Sequence, residues 1–352
     1  MELGVYTFGS LARDPETGEL ATTAQATRNL LEMITVADEV GLDYFGIGEH
    51  HTEEMPASAA ATILAAAASV TKNITLASAV TVLSTDDPVR VFQQFATVDA
   101  LSNGRAEITA GRGSSIESFP LFGYSLNDYD KLYEEKLELL LAINANEKVT
   151  WSGTMRPALH NAEVVPRPDS GSLPIWLGTG GNPSSSVRAG LLGLPIAYGI
   201  IGGEPHRFAP LTELYRNTAR ANGMAEADIK VSVGSPGYIG ETGKAAREDF
   251  WPHWHNTMGV IGQRRGFAAP SRLSYERDAA GRGALFVGSP EEIAERIVSL
   301  HGSLGHMRHF LQMDFGDMPQ KQLLRSIELL GTKVKPLVDE TLAASGAEKA
   351  GV

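Results

Sequence analysis

The sequence contains no cysteine, which excludes disulfide bonds, cysteine nucleophiles and thiolate metal sites. Basic residues are also few: 30 lysines and arginines stand against 42 aspartates and glutamates, so the formal net charge is −12. Nucleic-acid-binding proteins usually carry a basic surface, and this charge therefore argues against DNA or RNA as a partner. An anionic small ligand is still compatible, because it responds to a few local arginines.

Long hydrophobic runs are absent as well. The alanine-rich stretch 57–70 is too short to span a bilayer and belongs to an amphipathic pattern. The amino terminus, Met1-Glu2-Leu3-Gly4, has no basic segment and leads directly into a strand-like run, which argues against a secretory signal. We therefore expect a cytoplasmic protein that does not bind membranes.

Strand and helix patterns alternate along the whole chain. The predicted strands cover residues 3–8, 44–48, 74–83, 105–111, 174–177, 195–200, 230–233 and 309–313. Eight βα units without a linker predict an α/β protein of the (β/α)8 TIM barrel class, with residues 1–352 as one domain. A doubly wound sheet with a second domain is the alternative, weakened because no G-x-G-x-x-G opens a helix after the first strand.

Two segments interrupt the alternation and predict insertions after strands 4 and 7. Residues of about 149–166 have the pattern of an inserted hairpin. Residues of about 251–283 are rich in Gly, Pro, Arg and aromatic side chains, which predicts a functional insertion or lid.

Glu49, His50 and His51 end the second strand, where a barrel places its catalytic groups. An imidazole at this position acts as an acid or base near neutral pH, or stabilises developing negative charge. Polar residues that cap the next helix explain the motif equally well. A metal site is disfavoured, because Glu-His-His lacks the i, i+4 histidine spacing.

Two loops have the composition of an anion site. Gly111-Arg112-Gly113-Ser114-Ser115 combines a cation, free amides and hydroxyls, and the loop 178–186 places glycines before a helix amino terminus. Taken singly, a salt-bridged arginine and a helix cap at Asn182 or Ser184 are the more common explanations. Together they predict one phosphorylated ligand across both loops. The candidate contacts in these loops include Arg112, Gly113 and Gly180.

Aromatic residues near these loops are candidate walls of a substrate pocket, although core packing is the more common use of such side chains. The candidates are Phe8, Phe119 and Phe122.

The chain resembles the bacterial-luciferase-like family of flavin-dependent monooxygenases, a (β/α)8 barrel group, over residues 3–331. The motifs that carry the resemblance are Gly48-Glu49-His50-His51, residues 82–90 (VLSTDDPVR), Leu101-Ser102-Asn103-Gly104-Arg105, Gly111-Arg112-Gly113 and Gly180-Gly181-Asn182-Pro183. Together, in this order and on these elements, they are specific to the superfamily.

The resemblance implies roles for individual residues. His50 corresponds to a histidine beside the flavin, where oxygen reacts, and Arg112 to an arginine that binds the flavin phosphate. Gly181, Asn182 and Ser185 correspond to the second phosphate loop. Ala79 and Val80 correspond to a position where the family often has a non-prolyl cis peptide against the flavin ring.

Two departures from the luciferases are visible. Gly111 stands where luciferases carry a cysteine on the fourth strand, and Gly181 and Asn182 stand where they have Glu and Ser. Bioluminescence is therefore not expected, and contacts from the second loop would come mainly from backbone amides.

The resemblance implies a monooxygenase that uses reduced FMN and O2 to oxygenate a small organic substrate, with the FMN supplied by a separate NAD(P)H:flavin reductase. An F420-dependent dehydrogenase or reductase and a flavin-binding protein without turnover are the alternatives. The family also implies a homodimer, for which the 57–70 helix offers an apolar face.

Overall fold

The computed structural model describes residues 1–113 and 116–350, and eight of its parallel strands close into a barrel. The strands within the described residues are β1 (Glu2–Thr7), β2 (Tyr44–Ile47), β3 (Thr75–Ser78), β4 (Thr81–Val82), β5 (Ala106–Gly111), β6 (Lys148–Trp151), β7 (Leu159–Glu163), β8 (Ile175–Thr179), β9 (Ile196–Gly199), β10 (Val231–Ile239), β11 (Phe286–Gly288) and β12 (Arg308–Gln312). The barrel order is β1-β2-β3-β5-β8-β9-β10-β12, with β12 paired to β1. The predicted (β/α)8 barrel is confirmed.

Helices pack around the barrel and connect its strands. They are α1 (Thr23–Glu39), α2 (Ala60–Val70), α3 (Pro88–Ser102), α4 (Ser118–Leu121), α5 (Tyr129–Ala145), α6 (Pro183–Leu191), α7 (Ala209–Ala221), α8 (Gly243–Arg265), α9 (Arg272–Ala279), α10 (Pro290–Leu304), α11 (Gln320–Leu329) and α12 (Lys335–Ala350). The Asp87 side chain caps α3 by accepting from the amides of Val89 and Arg90. None of the helices in the described part of the chain is both long and apolar enough to cross a membrane.

The third strand differs from the prediction of one continuous strand over 74–83. A cis peptide bond between Ala79 and Val80 separates β3 from β4. The prediction of a single strand is wrong because the uninterrupted apolar composition of this stretch does not reveal the break. The cis bond itself lies at the position that the family resemblance implies.

The two predicted insertions are structured differently from each other. Strands β6 and β7 pair as an antiparallel hairpin after the fourth barrel strand. Residues 251–265, by contrast, continue α8, which runs unbroken through Pro252, and α9 follows after a short connection. The insertion expected over about 251–283 is therefore helical from its start, because α8 continues past the proline and aromatic residues at 251–254.

The amino-terminal end of the barrel is closed by charged and aromatic side chains. Arg308 donates to both carboxylate oxygens of Glu107, at 2.6 and 3.1 Å, and to Glu2 at 2.5 Å. Its guanidinium lies 4.6 Å from the ring centroid of Tyr44 and 4.9 Å from that of Trp176. This packed floor leaves the carboxyl ends of the strands as the open face, where barrel enzymes place their sites.

Helix α8 follows the rim of that open face. Its Phe250 ring packs on Phe315, beyond β12, at a centroid distance of 5.6 Å. Further along the helix, His253 contacts Asp317 at 2.7 Å. Near its end, Arg264 pairs at 2.6 Å with Glu54, in the loop after β2. The helix therefore contacts the loops that follow both β12 and β2.

Candidate active site

The two histidines at the end of β2 are held by two different carboxylates. His51 contacts Glu49 through Nε2 at 2.9 Å, and the other oxygen of Glu49 accepts from the Val82 amide at 2.9 Å. His50 contacts Glu117 through Nδ1 at 3.0 Å. The two adjacent histidines thus contact their carboxylates through different ring nitrogens. The partner of His51 belongs to the Glu49-His50-His51 motif, whereas the partner of His50 does not.

His50 lies against the barrel opening in a largely desolvated position. Its ring makes an edge contact with Phe8 at a centroid distance of 4.5 Å, and its side chain is 12% exposed. Burial lowers the pKa of the imidazole below its ordinary value, and the carboxylate of Glu117 opposes that shift. His50 is consequently neutral over much of the physiological range, which suits a proton acceptor.

Val80, just after the cis bond, lies between two glycines of neighbouring strands. A Cβ on Gly111 would come within 2.8 Å of the Val80 Cβ, and one on Gly178 within 2.7 Å of a Val80 methyl. A Cβ on Gly46 would likewise lie 2.7 Å from the Cβ of Ala79. Glycine at these inward-facing positions is therefore required for Ala79 and Val80 to enter the barrel mouth.

In the first of the two predicted anion-binding loops, which we call the anion loops, Arg112 lies beside an acidic partner. Arg112 donates to Asp130 at 2.9 Å and lies over the ring of Tyr129 at 5.7 Å. The hydroxyl of Tyr129 donates to the carbonyl of Gly113 at 2.6 Å, which holds this backbone with a positive φ of 80°. Ser114 and Ser115 lie outside the described residues.

The second loop begins α6. The side chain of Asn182 accepts from the Ser184 amide at 3.0 Å, so Asn182 is the helix cap, as one explanation predicted. Gly181 has a φ of 105°, and a Cβ there would meet the Phe208 ring, whereas Gly180 faces open space and Ser185 is buried. The loop therefore presents backbone rather than side chains around Gly180.

The two anion loops are neighbours across the barrel sheet. Ala110 of β5 is paired with Leu177 of β8, so Arg112 and the loop after Thr179 leave adjacent strands. Adjacent strands lie about 4.8 Å apart, a spacing that one phosphate spans. A guanidinium beside a glycine-rich helix start is a donor set suited to a phosphate dianion.

The three aromatic candidates lie in different environments. Phe8 is partly buried against His50, and Phe122 is 50% exposed with its ring 5.1 Å from that of His51. Phe119 is fully buried and stacks on Tyr129 at 5.5 Å. Phe8 and Phe122 thus flank the histidine pair, while Phe119 packs beneath the first anion loop.

Several residues at this face were not identified from the sequence. Glu117 contacts His50, and Asp130 contacts Arg112. Lys136 is buried, donates to the Ser84 carbonyl at 2.8 Å and lies 3.9 Å from the centroid of the Tyr124 ring. Burial lowers the pKa of its ammonium to about 8. A single acidic or basic residue outside a motif gives no sequence signal of such contacts.

Asp314, just beyond β12, is another buried group without a sequence signal. It accepts from the Thr7 hydroxyl and, at 3.1 Å, from the Ser10 amide, while its Oδ1 has no partner among the described residues. Burial raises the pKa of this carboxyl to about 6. No three His, Asp or Glu side chains of the described ranges converge into a metal site.

A closed barrel with a histidine pair and two adjacent anion loops at its carboxyl face has the organisation of a cofactor-dependent enzyme. The model of the luciferase-like monooxygenase family matches residues 1–307, and the chain belongs to that family. It is accordingly an oxidoreductase.

Solved structures agree with this fold. The monooxygenase RslO1 from Streptomyces bottropensis superposes with a TM-score of 0.81 at 22% identity, over 96% of this chain and 99% of that one. The oxygenating constituent of 3,6-diketocamphane monooxygenase from Pseudomonas putida, in complex with FMN, gives 0.75 at 20% identity, over 96% and 98%. An F420-dependent secondary alcohol dehydrogenase gives 0.73 at 17% identity, also over 96% and 98%.

Proposed function

We propose that this protein is a monooxygenase that uses reduced FMN and O2 to oxygenate a small organic substrate. The observation that carries the proposal is the placement of His50 and of the Arg112 and Gly180 loops at the same barrel face. One FMN needs both a phosphate site and a polar group near its ring. The FMN-bound camphane enzyme, which shares this fold, supports the choice of cofactor.

The phosphate would be held by the guanidinium of Arg112 and by the backbone around Gly113, Gly180, Gly181 and Asn182. Ser185 is buried at the start of α6 and would support this loop from below. Ala79 and Val80 would lie against the ring system. When bound, reduced FMN supplies the two electrons with which one oxygen atom of O2 enters the substrate and the other leaves as water.

His50 and Glu49 are the proposed catalytic residues. His50 would hold or accept a proton at the nitrogen turned away from Glu117, and Glu49 would fix His51 and the backbone at Val82. Phe8 excludes water on one side of His50.

The substrate is expected to be uncharged and largely apolar. Glu49 and Glu117 contact the histidines, and Asp86, whose pKa is raised by burial, lies near Glu49. These carboxylates disfavour an anionic substrate. On the outer side, Ile116 and Phe122 are exposed apolar side chains, and they offer a surface for a hydrocarbon group.

Two further partners are part of the proposal. A separate NAD(P)H:flavin reductase would supply reduced FMN in the cytoplasm. A second copy of the chain would pack on α2, which together with α3 borders a groove of about 420 Å³ lined by Ala61 and Ala65.

The test is an anaerobic titration with reduced FMN, followed by rapid mixing with oxygenated buffer while spectra are recorded. Tight binding, and flavin oxidation slower than that of free reduced FMN, support the proposal. His50→Ala should keep the binding and lose the slow phase. Weak binding, or oxidation at the rate of free flavin in the wild-type protein, would contradict it.

An F420-dependent dehydrogenase is the second candidate, favoured by the F420-dependent alcohol dehydrogenase of the same fold. Hydride transfer from an alcohol substrate to F420 in the absence of oxygen would identify it. Binding of either cofactor without any turnover would instead identify a flavin-binding protein.

A further inference from the structure

We infer that Glu117 is a positioning residue that keeps a proton on Nδ1 of His50 and so leaves Nε2 as the acceptor nitrogen. The contact that carries this inference is the 3.0 Å approach of a Glu117 carboxylate oxygen to His50 Nδ1. An ionised carboxylate only accepts hydrogen bonds, so the nitrogen facing it must carry the proton. In a neutral imidazole the other nitrogen then has a free lone pair.

The two histidines present different ring nitrogens to their carboxylates. His51 presents Nε2 to Glu49, so its proton is held on Nε2 and its acceptor nitrogen is Nδ1. In His50 the assignment is reversed. The two adjacent rings therefore cannot exchange roles, and only His50 offers the outer nitrogen, Nε2, as an acceptor.

The charge on His50 depends on its burial and on the groups that face it. The groups facing His50 are Glu49 and His51 from the end of β2 and Glu117 from the segment before α4. Burial disfavours the imidazolium form, and Glu117 is the largest influence in the opposite direction. When His50 takes a proton at Nε2, the carboxylate of Glu117 stabilises the resulting cation, and the proton is returned before the next cycle.

The position of Glu117 in the chain adds to its effect. It immediately precedes α4, and α4 contributes Phe119, whose ring stacks on Tyr129 below the Arg112 loop. Its side chain is 25% exposed, and that of His50 is 12% exposed. The pair is thus largely shielded from water, and its orientation depends on the same segment that packs under the anion loop.

The test compares two substitutions in the ligand-free protein by long-range 1H–15N spectra of the histidine rings, with His50→Ala used for assignment. Glu117→Gln keeps an acceptor but removes the charge, so the Nδ1–H tautomer should persist while the pKa of His50 falls. Glu117→Leu removes both, so the tautomer should change to Nε2–H or a mixture. The exposed Glu53→Gln is the matched control and should alter neither.

The consequence for turnover rests on the proposed function. Glu117→Leu is expected to lower kcat at least 10-fold with KM for the substrate changed less than about threefold, because general acid–base residues contribute about 100-fold or more. Because Glu117→Gln is expected to lower the pKa of His50, it should shift the pH profile of kcat towards lower pH. An unchanged thermal midpoint shows that the variants fold.

The outcomes separate the two proposals. An unchanged tautomer and unchanged titration of His50 in both Glu117 variants would overturn the role of Glu117, whatever cofactor the enzyme uses. The expected spectra in a protein that binds no reduced FMN would keep that role and reject the proposed function. A KM effect without a kcat effect would also overturn the positioning role.

Discussion

The side chain of Val80 occupies the space that a side chain on Gly111 would need. A Cβ at residue 111 would lie 2.8 Å from the Val80 Cβ and closer still to one of its methyl groups. We expect Gly111→Ala to displace Val80 and to reduce stability by about 1–3 kcal/mol, as for other overpacked sites. It should also weaken the binding of reduced FMN, because Val80 is proposed to contact the ring.

Urea unfolding and an anaerobic flavin titration measure these two effects. Gly202→Ala is the control, since a Cβ at that position meets no atom within 4 Å. A Gly111→Ala protein with wild-type stability and affinity would show that Val80 has room to move.

Asp130 forms an ion pair with Arg112, the residue proposed to bind the phosphate, and would compete with that phosphate. Their ion pair is only partly buried, with Asp130 71% exposed, and such pairs contribute about 0.2–1 kcal/mol. We expect Asp130→Asn to bind reduced FMN about 1.5- to 5-fold more tightly, with the gain shrinking at high salt. Glu163→Gln, which breaks the exposed pair with Lys148 on the hairpin, should leave the affinity unchanged. Weaker binding in Asp130→Asn would mean that Asp130 orients Arg112 instead of opposing the ligand.

Asp314 should make stability depend on pH in an unusual direction for an aspartate. Burial raises the pKa of its carboxyl from 3.8 to about 6 in the folded protein. Between these two pKa values the folded state holds a proton that the unfolded state has lost. The stability that the protonated carboxyl contributes is therefore present at low pH and is lost as pH rises through 6. The difference in the free energy of unfolding between Asp314→Asn and wild type should therefore rise in favour of the variant by about 2–3 kcal/mol from pH 4 to pH 7.5.

Urea unfolding at those two pH values checks the prediction. The exposed Asp228→Asn serves as the control and should show no such difference. An Asp314→Asn protein whose stability relative to wild type is constant with pH would indicate an ordinary, ionised Asp314.

Glu107 is expected to be a major contributor to the stability of the barrel floor. Glu107→Gln leaves the buried Arg308 with a neutral partner in place of a bidentate carboxylate. Breaking a buried pair from one side typically costs about 3–5 kcal/mol. Chemical denaturation should show this loss, against less than about 1 kcal/mol for the exposed Glu163→Gln. A loss below 1 kcal/mol at Glu107 would show that Glu2 alone compensates Arg308.

The proposed homodimer is testable on α2. Ala65 lines the groove between α2 and α3, and a glutamate there would place a charge in the contact. Light scattering should report a dimer for wild type and a monomer for Ala65→Glu. Ala221→Glu, on the exposed end of α7, should remain dimeric. A wild-type monomer at all concentrations would reject the proposal.

The sequence predicts the barrel well because its evidence is repetitive and local. Apolar strands, caps such as Asp87-Pro88 and glycine stops recur along the chain, and errors in single elements do not change the fold. The break in the third strand and the continuity of α8 were missed for a common reason. Local composition points the other way in both cases, since the third strand is apolar across its break and α8 runs through Pro252.

The site was predictable only in part. His50, Arg112 and the Gly180 loop follow strands, so topology alone brings them to one face. Glu117, Asp130 and Asp314 act through pairings with residues 67, 18 and 307 positions away, respectively. No periodicity or motif encodes such pairings, so their side chains are found only once the fold is known.

Helix α8 and the anion loops are attached to opposite sides of the barrel. The proposed phosphate contacts follow β5 and β8, whereas α8 contacts the loops after β12 and β2 through Asp317 and Glu54. Mutations that reshape α8 therefore need not disturb cofactor affinity. The rim that α8 forms can therefore vary in sequence while the half of the mouth proposed to hold the cofactor is inherited unchanged.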